Sequence, residues 1–398
     1  MRFVQSMALC ASFAATAAGA ETSAISSRVG EVGIRTALTE LEGQSDRTPD
    51  QDFALGALHV LGAVERALQA RYDMGMNQQM LMGMDIPLLR LPVPENPAPK
   101  PFDPAAIEAL FATASDDLAG AIAVLDTIGD ADDFGLEVDT ADLWFDINGS
   151  GARDEGEGMM QVLGTVMQIP TGEDGGAGGL AVRFDTADAA WLSAYAHLLS
   201  GISDTIVALH PTERLRAVLA DAAALDEFGR APNDYGMIDT ADMIAALVAV
   251  IESKPDAERL QAAHAHFLAM IRDNRTFWSR VGAETDNNAE WIPNARQKSV
   301  LPIDFPPDTA EVWGGVLTEA EEMLEGKRLI PHWRLGAGVG VNLAKLMQDP
   351  PELDVIGMVQ GGTLLPYIER GEVMSGEAFW RFEELVAGDA GLFMVILN

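Results

Sequence analysis

The sequence predicts a mainly α-helical fold, a multi-helix bundle with few or no strands. Three observations carry that prediction. Ala- and Leu-rich stretches repeat their apolar residues every 3.6 positions along most of the chain. Asp residues stand just ahead of several such stretches, where a helix start needs side-chain acceptors. Strand signals are few, and the C-terminal run GLFMVILN is the main short stretch that reads as a buried strand or packed tail.

In chain order, residues 1–20 come first. Arg2 is their only charge, an apolar small-residue stretch follows, and Ala18-Gly19-Ala20 precedes Glu21. That order reads as a signal peptide with cleavage near Ala20, which predicts a periplasmic or secreted protein. Cleavage would remove Cys10, the single cysteine, so neither disulfides nor thiolate chemistry is expected. The periodicity then predicts helices over about 23–43, 50–83, 104–128, 155–168, 186–208, 211–227, 240–253 and 255–281. Further helices are expected over about 309–325, 336–348 and 376–387.

Proline divides the chain. Pro87 to Pro104 cannot be helical and is expected to be a stiff, extended linker. It would separate an N-terminal helical segment, 21–86, from a helical body, 105–398. Pro293 to Pro307 reads as a second irregular segment and Gly172–Gly179 as a loop.

One device recurs: Val138-Asp139-Thr-Ala-Asp142, Phe184-Asp185-Thr-Ala-Asp188 and Ile238-Asp239-Thr-Ala-Asp242. Each first Asp is expected to be an N-cap, and each second Asp to sit at the positive end of a helix dipole.

The charge bounds the partners. Against 61 Asp+Glu stand 26 Lys+Arg, so 26 − 61 = −35. Such a surface repels nucleic acid and anionic membranes and favours cations. No stretch after residue 20 reaches about 18 uninterrupted apolar residues, so no membrane span is expected.

The most specific pattern is residues 146–157. Asp146, Asn148 and Ser150 alternate, Gly151 follows, and Glu157 comes six residues after that glycine. Calcium takes six to eight hard oxygens, and alternate positions of a tight loop can turn oxygens inward. The stretch resembles an EF-hand loop, with Ser admitted at its fifth place. The resemblance implies a Ca²⁺ site with Asp146, Asn148 and Ser150 as side-chain ligands and Ala152 giving its carbonyl. Asp154 would bind directly or through water, and Glu157 would be bidentate. It implies an entering helix ending at Ala141–Phe145 and an exiting one from Gly158. Arg153 stands where the family has an aliphatic residue, and no second loop of the pattern pairs with this one. Asp130 and Asp132 lack the closing Glu, and Asp286, Asn288 and Glu290 lack the glycine. A lone loop implies a weak structural site, on the order of 10⁻⁴–10⁻³ M. The expected function is that of an exported calcium-binding protein, with the calcium ion and another exported protein as partners.

Two other readings follow from weaker patterns. Met74, Met76, Met80, Met82 and Met84 bring soft thioethers together, which suits copper handling, although a Met-lined core explains them as well. Lys327, Arg328, His332, Trp333 and Arg334 form a basic island that could serve a hydrolase, although pairing with Glu319, Glu321 and Glu322 accounts for its cations. The six histidines make no zinc signature. Gly336, Gly338 and Gly340 fit neither a dinucleotide nor a phosphate loop, and no G-x-S-x-G elbow occurs. No feature specifies an enzyme reaction.

Overall fold

The computed structural model describes residues 23–76, 86–164, 179–231, 236–301, 303, 305–386 and 396–397. Among them the fold is mainly α, with only two small two-stranded sheets. The helices in the N-terminal half are α1 (Ala24–Val32), α2 (Ile34–Glu42), α3 (Pro49–Asp73) and α4 (Ala105–Leu125). Strand β1 (Leu136–Asp139) leads to short α5 (Met159–Val162) and then to β2 (Ala181–Phe184). Next come α6 (Thr186–Ala208), α7 (Thr212–Asp226), α8 (Met237–Ile251), α9 (Ala257–Ala283) and α10 (Thr309–Leu324). The chain closes with β3 (Val339–Val341), α11 (Leu343–Gln348), α12 (Val355–Gln360), β4 (Ile368–Arg370) and α13 (Glu377–Leu385).

Helix α6 is the centre of the packing. It lies along α4 on one side and α9 on the other. Small residues such as Ala194, Ala196 and Ser200 bury along it and let its neighbours approach closely. A first core gathers α1 to α4, β1 and one face of α6 around Phe53, Phe111 and Leu118. A second gathers α9, α10 and α13 around Phe277, Trp313 and Phe382. Each such buried aromatic or leucine contributes roughly 1.5–3 kcal/mol relative to exposure.

One local expectation holds in full and another only in part. Asp185 caps α6 by accepting the Ala187 amide at 2.8 Å, and the Asp188 carboxylate accepts the Asp185 amide at 2.9 Å. The long helix expected over 23–43 breaks at Gly33, whose φ of +78° a side chain would strain. Trp144 packs against the same glycine, within 3.0 Å of where a Cβ would stand.

Other expectations do not. The first copy of the recurrent device caps no helix. Asp139 ends β1, pairs across to Ala181 and accepts the Ala141 amide in a turn. In the third copy, α8 starts at Met237 after Gly236, so Asp239 sits in the first turn instead of capping it. The glycines Gly338 and Gly340 belong to the region of β3, not to a helix start, and α11 begins only at Leu343.

The Pro-rich stretch carries no helix, as its prolines require, yet it is no free spacer. Leu88, Leu89, Leu91 and Val93 are buried in the first core. Arg71, fully buried on α3, donates to the carbonyls of Leu88 at 3.1 Å, Leu91 at 2.7 Å and Met76 at 3.2 Å. Proline removes helix hydrogen bonding, and a buried guanidinium takes up the carbonyls that remain.

No single helix among the described residues is long and apolar enough to cross a membrane. Helix α8 buries no residue and presents Met243, Ile244 and Leu247 to solvent.

Candidate functional site

Residues 146–157 form a closed loop, and its two stems explain the closure. The Phe145 amide donates to the Glu157 carbonyl at 2.8 Å, and the Met159 amide donates to the Leu143 carbonyl at 2.8 Å. Trp144 and Gly158 thus form an antiparallel bridge. Phe145 and Ile147 drive into the core with 0% and 1% exposure, which anchors the start of the loop.

The entering helix expected at Ala141–Phe145 is absent. Strand β1 pairs with β2, a turn follows, and the chain enters the loop extended. Leu143, Trp144 and Phe145 are all buried, and the backbone of Leu143 and Phe145 bonds the outgoing stem. That long-range pairing satisfies the groups a helix would have satisfied locally. The exiting helix is present but short, at α5.

Within the loop the oxygens converge. The Asp146 Oδ2 atom accepts the Gly151 amide at 3.1 Å, while its Oδ1 is buried and has no hydrogen-bond partner among the described residues. Asp154 Oδ2 accepts from Asn148 Nδ2 at 2.7 Å and from Ser150 Oγ at 3.0 Å. Those two donors hold the Asp154 carboxyl below its usual range. Ser150 Oγ also lies 3.0 Å from the Ala152 carbonyl. Gly151 carries φ +77°, the sharp turn its position was expected to need. Glu157, 1% exposed, accepts three backbone amides: Ile147 and Asn148 on Oε1 at 2.8 and 3.3 Å, and Asp154 on Oε2 at 2.8 Å. All six sequence-predicted residues therefore sit in one loop, joined by these contacts. Glu157 spends its carboxylate on the loop's own amides.

The loop is tied to the N-terminal helices by residues the sequence reading missed. Glu65 on α3 accepts the Asp146 amide at 3.0 Å, and Gln69 one turn later donates to the Asp146 carbonyl at 2.6 Å. Glu65 is buried and stands 3.5 Å from the Arg35 guanidinium. Burial first, and then the charges of Asp146 and Glu157, push its carboxyl upward against the Asp146 amide and Arg35. The sequence signal was present: a Glu and a Gln four apart share one face of a helix whose buried residues are mostly apolar. On the other side, Asp142 accepts the Ser26 hydroxyl at 2.7 Å and Trp144 donates to the Gly30 carbonyl at 3.3 Å. Arg153 reaches back to the Ala141 carbonyl at 2.7 Å.

Among the described residues no group of three or more His, Cys, Asp or Glu side chains stands together as a metal-binding set. Asp146, Asp154 and Glu157 each bring carboxylate oxygens into hydrogen bonds within the loop. The rest are amide, hydroxyl and carbonyl oxygens, a hard set that suits Ca²⁺ over softer ions.

The other candidate regions resolve differently. His332 has both ring nitrogens on backbone, the Met358 carbonyl at 3.2 Å and the Arg334 amide at 3.4 Å. Among the described residues it pairs with no carboxylate, and Arg328 pairs with Glu319, Glu322 and Glu372. Met76 is buried, while Met80, Met82 and Met84 lie outside the described residues. Residues 1–20 lie outside them too.

Comparison of the chain with protein-family models, with curated proteins and with solved structures gives no match.

Proposed function

We propose that this chain is an exported calcium-binding protein whose loop 146–157 takes one Ca²⁺ in a structural role. The observation that carries the reading is the buried, unpartnered Oδ1 of Asp146 beside the Asp154, Ser150 and Asn148 side chains. A buried carboxylate oxygen without a donor costs free energy that a cation would relieve. Asp146, Asn148, Ser150, the Ala152 carbonyl and Asp154 would hold the ion. Glu157 would first keep the loop closed through its amide bonds and then offer its free lone pairs. The ion would stiffen the loop against α1 and α3 through Trp144, Glu65 and Gln69. Export rests on the signal-like order of residues 1–20.

The test is a thermal melt of the chain in EDTA, Ca²⁺ and Mg²⁺, beside Asp146→Ala. At ten times a millimolar Kd, binding stabilises the folded state by roughly 1.4 kcal/mol. That is a rise of about 1–3 °C for a chain of this size. The rise is expected with Ca²⁺ and absent in Asp146→Ala. Equal melting in EDTA and in 10 mM Ca²⁺ would sink the proposal. Export is checked by cell fractionation and by the N-terminal residue of the exported chain, expected to be Glu21.

A further inference from the structure

A partly open cavity of about 210 Å³ lies at the edge of the first core, where Trp291 and Ile396 of the second core also line it. Its walls come from α1, α3, β1 and α6, with Leu143 and Met159 from the stems of the loop and Leu88 and Arg90 from the Pro-rich stretch. Most of the wall is aliphatic or aromatic. An aromatic run lines one side: Tyr195 stacks on Trp191 at 5.7 Å, Trp191 meets Trp291 at 6.0 Å, and Trp291 meets Phe184 at 5.9 Å.

The polar groups along this wall are few, and several are already spent. Ser26 gives its hydroxyl to Asp142, and Trp191 gives its indole N–H to the Ile396 carbonyl. Trp291 is different: its indole N–H is buried and has no acceptor among the described residues. Arg90 and Tyr195 both line the wall, and the Arg90 guanidinium lies near enough to the Tyr195 hydroxyl to act on it. Among the described residues no carboxylate lines the cavity, in a chain of net charge −35. The hydrogen-bonding character of the wall is therefore that of donors inside an apolar shell.

Size narrows the occupant. An apolar cavity of about 150 Å³ admits benzene, and pockets for drug-sized ligands run to about 300–1,000 Å³. A volume of 210 Å³ suits a ligand between these. A run of aromatic and aliphatic side chains favours a flexible hydrocarbon body, and a guanidinium beside a phenol favours an anionic oxygen head.

We propose that this cavity binds a small amphiphile, a medium-length acyl chain with an anionic head, the chain lying along Trp191 and Trp291 and the head at Arg90 and Tyr195. The site is independent of the calcium reading, so the measurements are made in EDTA and repeated in Ca²⁺.

The full chain is titrated with decanoate below its micellar concentration, and with decanol as the neutral counterpart, following melting temperature and tryptophan emission. Decanoate is expected to saturate near one per chain, raise the melting temperature and bind more tightly than decanol. A terminally brominated decanoate is expected to quench tryptophan emission, and less so in Trp291→Phe. Arg90→Gln is expected to weaken decanoate about tenfold and leave decanol unchanged. Ala57→Leu fills the cavity and is expected to remove both. Decanoate that fails to saturate, or that binds a folded Ala57→Leu as well as it binds the parent chain, overturns the proposal. So does brominated decanoate that leaves the emission unchanged, a reading that needs no variant to fold.

Discussion

The Nδ1 atoms of His197 and His266 lie 2.8 Å apart at the interface of α6 and α9. One ring must donate and the other accept, so this contact holds one proton, not two. Outward from the pair, His197 Nε2 is 3.7 Å from Asp273, which Arg272 also pairs, and His266 Nε2 is 3.8 Å from Asp204, which Arg259 also pairs. Burial is the largest influence on both rings and lowers their pKa, to about 4 for His197.

The sign of the pH effect follows. An unfolded histidine takes its proton near pH 6.5, while folded His197 resists protonation down to about 4. Its neutral form is no burden above pH 6.5, and stability falls as pH drops from 6.5 towards 4. The loss approaches about 3 kcal/mol at the acid end. Melting curves at pH 7.5, 5.5 and 4.5 should show a shallower fall for His197→Asn than for the parent chain. Parallel curves would remove the histidine pair as the cause.

Glu284 works in the opposite direction. Burial, followed by the charges of Asp185, Glu290 and Asp286, pushes its carboxyl up to about 7. An unfolded Glu ionises near 4.5, so folded Glu284 is a burden above pH 7 that fades as pH falls to 4.5. Glu284→Gln keeps an oxygen for the Gln297 amide that donates to Glu284 at 3.0 Å. It should therefore stabilise the chain by about 1–2 kcal/mol at pH 8 and change little at pH 4.5. Denaturant midpoints at the two pH values decide it, and equal gains at both would exclude ionisation as the reason.

Arg71→Met should cost about 3–5 kcal/mol. The guanidinium has 0% exposure and serves the Leu88, Leu91 and Met76 carbonyls, which the thioether cannot. Release of the Pro-rich stretch should then show as new proteolytic cleavage between residues 86 and 104. An unchanged digestion pattern at lowered stability would mean that the stretch is held by Leu88, Leu89 and Leu91 alone.

Two copies of one tetrapeptide should behave differently. Asp185→Ala removes a working N-cap from α6 and should cost about 1 kcal/mol. Asp239→Ala removes an exposed first-turn charge that pairs with Arg230 at 2.8 Å, which should cost no more than about 0.5 kcal/mol. Chemical denaturation of both variants at pH 7 measures the difference. Matching losses would mean that the local sequence, not the cap geometry, sets the effect.

Gly151→Ala tests the turn of the candidate site. Nothing lies within 4 Å of an added Cβ, so the φ of +77° is the only penalty. A loss of about 1 kcal/mol in EDTA is expected. The calcium-dependent rise in melting temperature should shrink with it, and an undiminished rise would argue against an ion held by this turn.

How far the sequence carried can be read from particular residues. The span of α6 was legible to the residue, because a 3.6-residue period and the Asp185 cap are local properties. The order Asp146, Asn148, Ser150, Gly151, Asp154, Glu157 was legible for the same reason, since a tight loop brings neighbours in sequence together. The same reasoning failed at Ala141–Phe145. There, strand pairing with 157–159 and burial of three consecutive large side chains outweigh a local preference for helix.

The sequence by itself determined the helical class, most helix spans, the acidic surface and the oxygen-bearing loop, because these depend on composition and on neighbours within a turn or two. Only the tertiary structure decided the rest. It brought Glu65 under Asp146 from 81 positions away and His266 onto His197 from 69. It folded the Pro-rich stretch over a buried arginine and formed a largely apolar cavity between helices far apart in the chain. Contacts of that range are selected by how buried surfaces and unmatched polar groups satisfy one another across the core, and no local pattern records them.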